Sequence, residues 1–78
     1  MVTVARTGCD AVVEDLQEMV SELQAGAEWE NDTLIRYLEA LGAWIADCPG
    51  YYANNGRAVP SDGWEVIRDA LKAAKIYE

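Results

Sequence analysis

The stretch Trp29–Cys48 (WENDTLIRYLEALGAWIADC) most constrains what this chain can fold into. Its apolar residues Leu34, Tyr37, Leu38, Leu41, Trp44 and Ile45 step by three, one, three, three and one. That spacing follows one face of a 3.6-residue helix and does not fit strand alternation. Asn31 and Asp32 offer short side-chain oxygens that can accept from free first-turn N–H groups, so they are the predicted N-caps. Glu30 and Asp32 also suit the positive end of the helix dipole. Gly42 breaks helix propensity by about 1 kcal/mol relative to alanine, which predicts a helix packed closely against it. Cys48-Pro49-Gly50 predicts the end of the helix, because a residue before proline avoids helical backbone and glycine suits an exit.

Two further helices flank this one. Thr7-Gly8-Cys9-Asp10 has the spacing of a capping box, and a helix is expected from about residue 8 to 25. Its apolar stripe is Val12, Val13, Leu16, Met19, Val20 and Leu23. At 100° per residue these fall within about 60° either side of Leu16. Glu14 and Glu18 fall opposite, flanked by Asp10, Asp15 and Glu22. A third helix is expected over 62–75, capped by Ser61 or Asp62 after Pro60. One of its faces carries Trp64, Ile67, Ala70, Leu71 and Ala74, and Arg68, Lys72 and Lys75 lie towards its C-terminus. Residues 50–54 have room for one extra helical turn before the Asn55-Gly56 turn signal. Met1–Arg6 reads as a frayed arm with an option to pair as a strand, and Ile76–Glu78 as a tail that packs back. The expected architecture is therefore all-α, one domain over 1–78, a small antiparallel bundle of three main helices. The three tryptophans are expected in its core, and Cys9 and Cys48 as small buried thiols.

Charge is distributed unevenly. Fourteen acids oppose six bases, a formal charge of −8. Asp10, Glu14, Asp15, Glu18, Glu22, Glu28, Glu30 and Asp32 occupy 23 residues without a single base, whereas 40–78 hold five acids and four bases. The acids at 10, 14, 18 and 22 recur one turn apart, about every 6 Å along the helix. Such a surface repels phosphates, so direct binding of nucleic acid or of an anionic membrane is not expected. It favours a basic, nucleic-acid-binding protein or complex, and these eight acids are the candidate partner-binding residues. Tyr51 and Tyr52 are secondary candidates, since adjacent tyrosines can anchor an interface. The alternative is that one plugs the core and the other lies on the surface.

Enzyme chemistry finds no support. The chain has no histidine, Ser21 and Ser61 suit a helix surface and a cap, and neither cysteine has an activating base in view. No catalytic residue, cofactor or metal site is expected; no EF-hand spacing is present. No apolar run approaches the roughly 18 residues that span a bilayer, and Met1–Arg6 lacks a signal-peptide core, so a cytoplasmic protein is expected.

Trp29–Leu34, Tyr37–Leu41 with Trp44, Gly50-Tyr51-Tyr52, Pro60, Trp64 and Ala73–Glu78 resemble a family of short bacterial proteins known as a domain of unknown function. The likeness covers roughly 29–78, covers the acidic first helix least well, and transfers no functional residue. It implies a small bacterial or phage-borne helical protein. The order of acidic helix, second helix, Tyr51-Tyr52 and proline-started last helix is similar to that of colicin immunity proteins, which neutralise basic nucleases. In size and charge the chain resembles phage anti-CRISPR and anti-restriction proteins, some of which present carboxylates in place of phosphates. The base-free acidic run makes an inhibitor-type binding protein the leading expectation, a monomer or weak homodimer whose basic partner could be a CRISPR effector or nuclease, with an anti-CRISPR-like DNA mimic as its sharpest form. The alternative is a non-inhibitory structural or oligomerisation module that uses Tyr51, Tyr52 and Val59.

Overall fold

The computed structural model describes residues 8–77. Three helices, α1 (Gly8–Gln24), α2 (Leu34–Asn54) and α3 (Gly63–Ala73), form an all-α bundle, with no strand among the described residues. The Met1–Arg6 arm, the Thr7 cap and Glu78 lie outside that range.

The helices run up, down, up, and the shortest of them lies in the middle. α1 and α2 each pack on α3, and neither packs on the other. Successive pairings give the directions. Gly8 meets Trp64, Asp15 meets Arg68 and Glu22 meets Lys75, so α1 and α3 run parallel. Tyr37 meets Leu71 and Tyr52 meets Asp69, so α2 and α3 run antiparallel. The stretch with the most regular stripe is thus a flank of the bundle, and the late helix α3 is its centre.

α2 does not stop at Cys48-Pro49-Gly50. It continues to Asn54 with Pro49 inside. An interior proline deletes one backbone hydrogen bond at a cost of about 3 kcal/mol. What offsets it lies in the turn that follows. Tyr52 is fully buried, its ring meets Trp44 edge-on at 6.0 Å, and its hydroxyl donates to Asp69 Oδ2 at 2.6 Å. Ending the helix at residue 48 would take Tyr52 out of that position. Trp44, Cys48, Tyr52 and Ala70 form the buried core, with Leu41, Val66, Ala73 and Tyr77 packed against it. The tail folds back as expected, and Tyr77 donates its hydroxyl to Asp47 at 2.5 Å.

The N-cap of α2 is Thr33, whose Oγ1 accepts from Arg36 N at 3.1 Å. Asn31 is drawn elsewhere. Its Nδ2 donates to the carbonyls of Ala74 (2.8 Å) and Tyr77 (2.9 Å), and its own N–H donates to Lys75 O (3.0 Å). Asn31 thereby holds the turn that follows α3. Asp62 caps α3, accepting from Trp64 N at 3.0 Å.

Gly42 is not a point of close approach: nothing lies within 4 Å of where its Cβ would stand. That role belongs to Gly8, where a Cβ would meet Trp64 side-chain atoms at 2.4–2.5 Å. Trp64 is accordingly 44 % exposed and lies outside the core, and Trp29 is half-buried. Cys9 is exposed and Cys48 buried, both as free thiols.

Candidate partner-binding surface

α1 turns on α3 by about a quarter turn from the orientation its apolar stripe predicts, taking 100° per residue. Its buried line is Ala11, Val12, Asp15 and Met19, with Asp15 near the middle at 5 % exposure. Val13, Leu16, Val20 and Leu23 stay exposed. This orientation sets acids of α1 against cations on α3 and just past its end. Arg68 Nε donates to Asp15 Oδ2 at 2.7 Å, its second nitrogen lies 3.3 Å from Oδ1, and Lys72 stands 4.0 Å away. Two turns further on, Lys75 Nζ donates to Glu22 at 2.9 Å and lies over the Trp29 ring, 5.2 Å from its centroid. Two of the eight acids are thus paired within the bundle, Asp15 buried and Glu22 partly exposed.

These pairs shift the titration of their members. The hydrogen bond from Lys75 holds Glu22 below the usual carboxylate value, with its charge adding to the effect against some desolvation. The hydrogen bond and charge of Asp15 raise Arg68 further above neutrality. Asp15 therefore leaves the expected partner-binding set and becomes a bundle contact, while Glu22 pairs with Lys75 and still lines the α1 surface beside Glu14 and Glu18. Asp32 lies on the surface in an exposed pair with Arg36 at 3.3 Å.

The remaining acids divide into two places. Asp10, Glu14 and Glu18 are exposed on α1. By helical position Glu14 and Glu18 lie opposite Leu16, so this edge and the exposed apolar stripe point in opposite directions. Glu28 and Glu30 are exposed in the α1–α2 connection. There a cleft of about 620 Å³ opens, lined by the apolar Leu23, Trp29, Leu34 and Tyr37 and rimmed by Glu28 and Asp32. Trp29 and Tyr37 stack at 5.6 Å, and Tyr37 donates its hydroxyl to Leu71 O at 2.7 Å, which fixes the cleft wall.

The two tyrosines separate. Tyr52 is inaccessible and is no partner-binding residue; burial first, and then its bond to Asp69, raise its pKa. Tyr51 is partly exposed against Trp44, with ring centroids 5.3 Å apart. Sequence reasoning missed Asn31, Lys75 and Trp29 as the group that ties the connection to the end of α3. A lysine near the end of one helix and an asparagine in a distant linker carry no mutual signal until the chain is folded.

Among the described residues no group of three histidine, cysteine or acidic side chains comes together as a metal site. No helix of the described chain is long and apolar enough to cross a membrane. Neither the comparison with curated proteins nor that with solved structures gives a match. A family model does match, and it reaches through the acidic helix that the sequence likeness covered least well. Its match runs over residues 9–78, and the chain belongs to that family, a family of unknown function (DUF7660).

Proposed function

We propose that this chain is an acidic, inhibitor-type binding protein that docks the outer edge of α1 on a basic partner that handles nucleic acid. The observation behind this reading is the division of charge on α1. Arg68 on α3 and Lys75 just past it pair with Asp15 and Glu22; Glu14 and Glu18 are exposed on the outer edge, and Glu28 and Glu30 extend the acidic surface past the helix end. Long-range attraction to such an edge speeds encounter and weakens with salt. The finer form of the proposal is a phage anti-CRISPR-like or DNA-mimic protein acting on a CRISPR effector or nuclease. It rests on likeness in size and charge alone. The immunity-protein comparison loses its tyrosine pair, because Tyr52 is buried. The rival oligomerisation reading through Tyr51, Tyr52 and Val59 loses the same anchor.

The test is capture of partners from bacterial extract at low and high salt, with DNA as competitor, by the wild type and by a Glu14→Lys, Glu18→Lys, Glu28→Lys variant. A basic complex held only at low salt, displaced by DNA and lost in the variant is the expected result. Equal capture by wild type and variant would remove the acids from the function.

A further inference from the structure

The apolar face left open by the packing of α1 and α2 belongs to one side of the bundle. On α1 it is Val13, Leu16, Val20 and Leu23, about 90° from the line that meets α3. On α2 the buried line is Ala40, Trp44, Cys48 and Tyr52, and Leu38 and Ile45 stand exposed at a similar offset in the same rotational sense. Because α1 and α2 flank α3 from opposite sides and run in opposite directions, equal offsets bring both stripes to the same side. Two observations agree with this geometry. Leu23 and Leu34 line one cleft, and Ile67, which α3 presents between its two contact lines, is also exposed.

We propose that a second copy of this chain covers this face in a two-fold symmetric pair. Three features select that occupant. The first is periodicity. Cys9, Val13, Leu16, Val20 and Leu23 step by four, three, four and three, a heptad seam with valine at both a positions and leucine at the d positions that follow. That seam is suited to meeting a second helix by knobs-into-holes packing. Its flanking positions do not oppose self-pairing: Gln17 and Gln24 are neutral, and Val12 and Met19 are buried towards α3.

The second feature is charge. A chain of net −8 can meet its own copy only where its acids are absent. Glu14 and Glu18 lie on the far side of α1, and Glu28 and Asp32 stand only at the cleft end. A basic partner would find nothing to neutralise on this face. The third is area. The seven exposed aliphatic side chains of α1 and α2 on this side, Leu34 included, are each 43–74 % exposed. Together they offer on the order of 600 Å² per copy, most of the roughly 800 Å² per partner of a stable interface. Gly42, which follows Leu38 along the same stripe with open space above it, then sits where a second helix can approach.

Sedimentation equilibrium of the full chain across a hundredfold concentration range tests the proposal. The expected species has twice the 8.6 kDa chain mass, and added salt leaves it unchanged or strengthens it. Leu16→Gln and Leu38→Gln should weaken association at least tenfold, whereas Glu14→Gln with Glu18→Gln, on the other edge, should not. If the leucine variants fail to fold, the near-isosteric Val13→Thr and Val20→Thr replace them with the same expected direction. A wild-type melting temperature that rises with protein concentration gives an independent readout, since only an associating chain shows it. A wild-type monomer with a concentration-independent melting temperature overturns the proposal, and its binding to neutral phosphatidylcholine vesicles would assign the face to lipid. A dimer that survives the leucine and valine changes overturns it as well.

Discussion

α1 and α2 are held to the same helix by different physics. α2 is fastened by burial: Trp44, Cys48 and Tyr52 enclose Ala70, and the Tyr52 hydroxyl reaches Asp69. α1 has a thinner apolar line, Ala11, Val12 and Met19, and adds charge and close approach. Asp15 and Glu22 pair with Arg68 and Lys75, and Gly8 lies against Trp64. Burial of this kind is insensitive to salt and to mild acid, and ion pairs are sensitive to both. The two flanks should therefore fail under different conditions, although one short helix supports both.

The comparison breaks most sharply at Tyr52. Replacing it with alanine should cost about 3–5 kcal/mol, enough to unfold a domain of this size, and a far-UV circular dichroism melt would show it. On the α1 side, Asp15→Ala removes a buried carboxylate from a cation that is itself partly exposed, so the expected cost is smaller, about 1–3 kcal/mol. Amide exchange in that variant should rise in α1 before α2; uniform protection loss would mean that the two flanks do not behave separately. Tyr52→Phe keeps the ring and deletes only the hydroxyl bond, for about 1 kcal/mol.

Two pH effects sharpen the contrast further. The folded state raises Tyr52 above its ordinary value of 10.0, so it holds that proton more tightly than the unfolded chain does. This contribution is whole below pH 10 and is lost as pH rises beyond it, and Tyr52→Phe should flatten the alkaline limb of a melting-temperature profile. Glu22 is shifted the other way, below the ordinary 4.5, by its bond from Lys75. Its contribution is present above that value and is lost as pH falls through the folded pKa. The effect is the smallest of the set because the pair is partly solvated, and Glu22→Gln should flatten the acid limb slightly. An unchanged acid limb would show that the Lys75–Glu22 bond adds nothing to stability.

Much of this was legible in the residues. The helix number, the first helix within a residue of each end and a cap for the third at Ser61 or Asp62 all followed from apolar periodicity and capping chemistry, which act over a few neighbours. Errors arose where a distant partner outweighed the local preference. Pro49 reads as a stop, yet the helix continues because Tyr52 is buried three residues later. Asn31 reads as a cap for its own helix and instead binds the turn that follows another. Asp15 and Glu22 read as flanks of a solvated acidic face, and cations more than fifty residues away pair with both and hold Asp15 buried.

What the sequence by itself determined is that the chain makes three amphipathic helices with its negative charge gathered on the first, because helix periodicity and capping are local. Which side of each helix meets its neighbour was decided only in the tertiary structure. An apolar stripe can be covered by another helix of the same chain or by something else, and the stripe does not encode which. Here the Asp15–Arg68 and Glu22–Lys75 pairs accompany the rotation of α1, and the aromatic cluster sets α2. The two stripes are thereby left on one open side, opposite the acids of α1.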